Sequence, residues 1–232
     1  MKNKVKIIDI INEGKDVKTY LLEKPDDITW EEGSHFHIAM LGFDEGDKPN
    51  KSLVRHMSIM TLPEENKLGF TTRIPKEHSE FKQRLSKLTV GDEVVIFKIG
   101  SRMQLRRTNR PIVLLSMGVG IATMRPLIHS FMNDSSDIPN LVHINVDASN
   151  KLYKSELEQV ELEQFKNYWV DSRSEYYETL NNIMKTQGNA IYYIVGSDSF
   201  IKSNIQHLKM RMVKDADIIL DKKDELLSEY FN

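Results

Sequence analysis

PIVLLSMGVGIATMRPL, residues Pro111 to Leu127, decides how the chain divides. It opens on an apolar, β-branched run, Ile112-Val113-Leu114-Leu115, of the kind a strand buried on both faces requires. Gly118 and Gly120 follow, where the backbone turns tightly and leaves room for a ligand. Ile121, Met124, Leu127, Ile128 and Phe131 then recur at helical spacing. A strand, a glycine turn and a helix in that order place backbone N–H groups before a phosphate. The same pattern also makes an ordinary tight βα connection, so its meaning depends on the flanking sequence.

Downstream, β-prone and helical segments alternate. Strands are expected at Leu141–Val146, Tyr168–Val170 and Ala190–Val195. Helices are expected at Ile121–Met132, Lys154–Glu163, Glu175–Lys185 and Ser199–Val213. Such alternation predicts a parallel sheet covered by helices. Met210 and Met212 read as core-filling residues of the last of these helices. Asp217–Lys222 reads as an edge strand, followed by a helix ending in Tyr230-Phe231, aromatics that read first as core.

Upstream the period is different. Val5–Ile11 and Val17–Leu22 flank the turn cluster Asn12–Asp16 and read as a hairpin. Further strands fit Ser34–Leu41, Leu53–Met60, Lys67–Ile74 and Glu93–Ile99. Phe81, Leu85 and Leu88 predict one helix, with Ser79 as its N-cap. Short strands in this number predict a small antiparallel barrel or sandwich. The basic joint Arg106–Pro111 marks the boundary, giving a β domain over residues 1–107 and an α/β domain over 108–232.

The 232 residues carry a net charge of −2, which argues against general affinity for nucleic acid. Cysteine is absent, so thiolate catalysis and cysteine-held metal or iron–sulfur sites are excluded. No run approaches the ~20 apolar residues of a membrane span. Asp9 interrupts the N-terminal apolar run, so no secretory signal is read there. A soluble, cytoplasmic protein is the expectation. His35 and His37 share one face of a strand, but no further ligands stand at sensible spacing, and no metal site is expected.

Other residues carry chemistry only in combination. Arg55, on the strand face shared with Met57 and Ile59, suits a bidentate grip on phosphate, or is an exposed surface cation. Arg73 ends one strand and Ser79 opens a helix, a second place for an anion. Asp171-Ser172-Arg173 follows a strand of the α/β half, where hydroxyl and guanidinium suit a ribose phosphate, or form a solvated loop.

In this order the segments resemble the ferredoxin–NADP⁺ reductase superfamily over nearly the whole chain. The family's Arg-x-Tyr-Ser flavin motif reads here as Arg55-His56-Met57-Ser58. By that resemblance Arg55 holds the flavin phosphate and Ser58 hydrogen-bonds the N5 region as the catalytic-site hydroxyl. Gly33–Ile38 is similar to the strand that precedes the motif, and Ser79 to the second phosphate contact. Val90–Val94 matches the Gly-Asp turn before the last barrel strand. Met117–Ala122, with Gly118, Gly120 and Ile121, is similar to the Gly-Gly-Thr-Gly-Ile-Ala turn that receives the nucleotide pyrophosphate. Ser172-Arg173 resembles the pair that takes the 2′-phosphate of NADP(H). Val195-Gly196-Ser197-Asp198 stands where Cys-Gly-Pro-Pro is usual.

The resemblance implies a flavin-dependent NAD(P)H oxidoreductase with FAD, less readily FMN, and NADPH or NADH as hydride donor. The acceptor would be external: a ferredoxin, a flavodoxin, another redox protein or a small molecule such as a ferric chelate or free flavin. A reductase-like module acting only within a larger redox complex is the alternative. Departures from the family pattern are Met57 for tyrosine, Met117 for glycine, Thr123 for proline and Val195 for cysteine.

Overall fold

The computed structural model describes residues 2–77 and 79–231. Backbone contacts divide the chain into two compact units, Met1–Ser101 and Arg102–Asn232. The division falls at Ser101, ahead of the basic joint, and side-chain bonds explain why. The Tyr193 hydroxyl donates to the Gln104 carbonyl at 2.7 Å and accepts the Arg106 N–H at 2.8 Å. Arg106 also donates to the Ala216 carbonyl, and Arg110 pairs with Asp217 at 2.7 Å. The joint is therefore stitched into the second unit.

The first unit is antiparallel. Strands β1 (Lys2–Gly14), β2 (Val17–Glu23), β3 (Ser34–Met40), β4 (Val54–Ser58), β5 (Lys67–Arg73) and β6 (Glu93–Ser101) form one sheet in the order β4-β3-β6-β1-β2-β5. The β1–β2 hairpin turns through Gly14 and Asp16, both at positive φ. Just after β4, the Met60 N–H donates to the Gly69 carbonyl at 2.8 Å, which brings the two edges of the sheet together. Inward residues fill the barrel: Tyr20 stacks on Phe70 at 5.2 Å, and Phe36 meets Phe70 edge-on. The helix α1 (Glu80–Leu85) plugs this core with Phe81 and Leu85, both fully buried one turn apart. Ser79 occupies its N-cap position, but its side chain makes no capping hydrogen bond.

The second unit is parallel. Strands β7 (Ile112–Met117), β8 (Leu141–Val146), β9 (Phe165–Val170), β10 (Ile191–Val195) and β11 (Ile218–Leu220) lie in the order β11-β10-β7-β8-β9. Between them run α2 (Ile121–Asn133), α3 (Lys154–Leu157), α4 (Arg173–Thr186) and α5 (Asp198–Lys209), with α6 (Ser228–Phe231) last. Val113, Leu115, Val142 and Ile144 line one face of the sheet and pack on α4 and α5 through Tyr176, Leu180, Phe200 and Ile205.

Two expected helices end early. The segment from Lys154 is one turn, because its buried stripe stops at Leu157 and the acidic run beyond it has nothing to bury. α5 stops at Lys209, one residue after the buried Leu208. Met210 and Met212 are accordingly 67% and 88% exposed and are not core, and Met212 turns the chain at positive φ. Tyr230 and Phe231 pack against the second unit's core, as read from the sequence. Among the described residues no helix is long and apolar enough to cross a membrane.

Candidate functional site

In the first unit the motif residues lie on β4, an edge strand that pairs with β3 alone. Register places Arg55 opposite Ile38 and Met57 opposite Phe36, both fully buried, so these two side chains share the inward face. Met57 packs against the barrel core. Arg55, at the end of the strand, lays its guanidinium over the Phe81 ring, 5.5 Å from the centroid. One guanidinium nitrogen donates to the Val54 and Ser52 carbonyls at 2.6 and 3.1 Å. The other N–H groups carry no carboxylate partner, so the side chain is pre-oriented with donors to spare.

His56 and Ser58 point to the opposite face. The His56 ring lies 4.1 Å from His35, tilted by 41°, and meets His37 edge-on at 5.6 Å. Ser58 stands across from His35. A ligand that touches both Arg55 and Ser58 must therefore run along the strand and cross its edge. No group of three metal-ligating side chains converges among the described residues. Arg73 is exposed at the end of β5, and Ser79 is exposed at the start of α1.

In the second unit the site is set by topology. The chain runs from β7 outward to β8 and β9, then returns to β10 on the other side of β7. The strand order reverses between β7 and β10, the place where open α/β sheets bind ligands at the carboxyl ends of their strands. Gly118 and Gly120 follow β7, and Gly196 follows β10. Gly118 adopts φ +56, in the left-handed region. A Cβ on Gly120 would lie 2.7 Å from the Val195 carbonyl oxygen, so this glycine lets the two strand ends touch. A Cβ on Gly196 would lie 2.6 Å from the Phe200 ring. No side chain caps α2, and the Ile121 N–H at its start bonds back to the Gly118 carbonyl of the preceding turn.

Ser172 and Arg173 stand two strands away from β7, about 10 Å at normal strand spacing. Ser172 is the N-cap of α4, its hydroxyl accepting the Glu175 N–H at 3.2 Å, so it has a structural task whatever else it binds. Arg173 is exposed, and Asp171 beside it pairs with Lys151 at 3.1 Å. Asp147, at the end of β8, folds one carboxylate oxygen back onto Ser149 and Asn150, closing the loop there.

Three features escape a reading by motif. Lys82 reaches from α1 to β5, donating to the Thr72 hydroxyl and the Arg73 carbonyl. Burial and the nearby Arg55 charge bring its pKa down to about 8. Arg125 and His129, one turn apart on α2, both bond Glu156 of α3, at 2.5 and 2.9 Å. Burial pushes Glu156 up, but these bonds outweigh it and hold its carboxyl at about 2. The third is His143, fully buried in β8 between Asn167 at 2.8 Å and Ser116 at 2.9 Å. Burial lowers its pKa to about 4, so the ring is neutral. Ser116 also faces the Asn145 amide oxygen at 2.8 Å; its one proton serves either that oxygen or the imidazole, and the His143 tautomer decides which. The i, i+4 spacing of Arg125 and His129 was visible in sequence, whereas the partners of Lys82 and His143 lie on other elements.

No family model matches the sequence, and no curated protein matches it. Solved structures match its fold closely. A ferredoxin–NADP⁺ reductase from Neisseria gonorrhoeae, solved with bound FAD and NADP, superposes with a TM-score of 0.79 at 13% identity, covering 95% of this chain and 98% of that one. A ferredoxin–NADP⁺ reductase from Plasmodium falciparum with 2′P-AMP gives 0.76 at 16% identity, covering 94% of each chain. The CS-b5R domains of human Ncb5or in the NAD⁺ form give 0.76 at 13% identity, covering 96% of this chain and 70% of that one. The chain thus has the fold of the ferredoxin–NADP⁺ reductases, an antiparallel barrel followed by a doubly wound parallel sheet.

Proposed function

We propose that the protein is a flavoprotein reductase that takes hydride from NAD(P)H and passes electrons to an external acceptor. The observation that carries this reading is the placement of Gly118, Gly120 and Gly196 at the strand-order reversal of the second unit. Arg55, oriented on an edge strand of the first unit with no carboxylate partner, supports the flavin half of the reading. The neighbours solved with FAD and NADP and with 2′P-AMP favour FAD as the cofactor and NADPH as the donor.

The fit of these groups rests on the chain's own donors. Arg55 offers spare N–H groups and a fixed positive charge to a phosphate. The Gly118–Gly120 turn offers backbone N–H groups to a pyrophosphate, and Arg173 a charge for a 2′-phosphate. A bound flavin supplies the hydride-accepting chemistry. Ser58 holds a hydroxyl at the end of β4 that would hydrogen-bond the reacting edge of a bound flavin. Hydride transfer demands alignment more than a proton donor, so the lack of tyrosine at Met57 and of cysteine at Val195 removes no acid or base. The acceptor is a small redox protein or a small molecule.

A second reading is a reductase module within a larger redox assembly. It is favoured by the human neighbour, of whose chain this fold covers 70%. Anaerobic titration of the FAD-loaded protein with NADPH and with NADH, followed by a screen of acceptors, tests both. Bleaching of the flavin with turnover on added acceptors supports the enzyme. Bleaching without turnover on any soluble acceptor favours the module, and failure to hold flavin at all defeats both.

A further inference from the structure

At the seam where the first unit's two edge strands approach, Arg55 comes from β4 and Lys82 reaches to the end of β5. The two cations meet at α1: Arg55 covers Phe81, and Lys82, the next residue, feels the Arg55 charge. Neither has an ion-pair partner among the described residues. The carboxylate nearest in sequence, Glu80, is taken by Arg84 at 2.8 Å and by the Ser52 hydroxyl at 2.6 Å. Two like charges in one place, without an anion, oppose each other's ionisation.

An ammonium has three donors, and Lys82 spends two on the Thr72 hydroxyl and the Arg73 carbonyl. The third is available to an incoming anion. As a neutral amine, the same group satisfies those two acceptors with its two N–H groups and presents a lone pair, which a phosphate oxygen repels.

We propose that Lys82 joins Arg55 in a two-cation seat for the flavin phosphate and binds it only as the ammonium, so that cofactor uptake carries a proton with it. This rests on the flavoprotein reading above. The proton balance is one taken from solvent per flavin bound when the free amine is neutral, and none when it is already charged. Lys82 has a pKa of about 8 without ligand, so the switch falls at mildly alkaline pH. The charged groups around it among the described residues are Arg55 of β4, Arg73 of β5, Glu80 and Arg84 of α1, and Lys51 of the turn that packs on α1. Bonds from Ser52 and Arg84 hold Glu80 below its ordinary range, and burial pushes Tyr20, which caps the far end of α1, up to about 12. His35 and His37 of β3 face the other side of the sheet from the Phe36 and Ile38 that pack near α1.

The test is calorimetric titration of the flavin-stripped full chain with FAD between pH 7 and 9.5, in two buffers of different ionisation enthalpy. The dissociation constant should rise by roughly tenfold per pH unit above pH 8, with about half a proton taken up at pH 8. Lys82→Met should bind more weakly at pH 7, with no proton uptake and no such alkaline loss. Lys82→Arg, which keeps the charge at every pH, should bind tightly and just as flatly, which separates the charge from any folding defect of the methionine variant. A wild type whose affinity is flat from pH 7 to 9.5, or a Lys82→Met that keeps the alkaline loss, overturns the inference and leaves the flavin reading standing. A wild type that takes no FAD at pH 7, while folded by circular dichroism, overturns both.

Discussion

The two candidate ligand seats are built in opposite ways. The barrel's seat is made of charge left open: Arg55 and Lys82 stand without carboxylates and are held by carbonyl, hydroxyl and ring contacts. The seat of the parallel sheet is made of absent side chains, with Gly118, Gly120 and Gly196 letting two strand ends meet. Arg125, a buried cation of that unit, is closed off by Glu156. Unpaired cations add little to the folded state and can be removed at little cost to it. A glycine against a neighbouring carbonyl belongs to the packing, and changing it disturbs the fold before it disturbs a ligand.

Acid should separate the two units most. The folded pKa of His143 lies near 4, below its ordinary 6.5, so the unfolded chain takes the proton first as pH falls. Its stability contribution is complete above pH 6.5 and is lost as pH drops through 4, about 3 kcal/mol in all. Each unit has one tryptophan, Trp30 in the first and Trp169 in the second, the latter 6.1 Å from the His143 ring. Denaturant midpoints followed in Trp30→Phe and Trp169→Phe should therefore diverge between pH 6.5 and 4.5, the second unit weakening. Parallel movement of both midpoints breaks the contrast.

Gly120→Ala should destabilise the second unit by about 1–3 kcal/mol, because the new methyl meets a backbone carbonyl that cannot swing aside. Urea unfolding monitored at Trp169 measures it. A stability equal to wild type would show that the turn relaxes and that the glycine serves a ligand alone.

Arg55→Ala is the converse. Unfolding of the flavin-free protein should change by less than about 0.5 kcal/mol, while FAD affinity falls by roughly 10- to 150-fold, the loss of a charge-assisted contact of about 1.5–3 kcal/mol. Full flavin occupancy in the purified variant, or marked instability without flavin, removes Arg55 from the seat. Arg173→Ala should act least: an exposed charge contact contributes at most about 1 kcal/mol, so kcat/KM for NADPH falls roughly fivefold and that for NADH stays. Equal losses for both nucleotides would exclude Ser172-Arg173 as the 2′-phosphate site.

Much of this was legible in one dimension. The periods of the two halves placed an antiparallel β domain, barrel or sandwich, before an α/β sheet, and Ile112–Leu115 with its glycines marked the strand and turn at the sheet's centre, because a doubly buried strand and a tight turn each restrict residue type locally. Where the apolar stripe faded, boundaries failed: the helix expected to reach Glu163 stops at Leu157, and Met210 and Met212 lie in solvent. Hydrophobicity says that a residue wants burial, but only the ends of neighbouring elements say whether there is anything to bury it against. Tertiary structure alone decided that Gly120 is needed by Val195, that Lys82 stands with Arg55 at the barrel seam, and that Ser116, His143 and Asn167 form one hydrogen-bonded row. Each depends on residues far apart in the chain, and close approach, like-charge proximity and desolvation are set by distance in space.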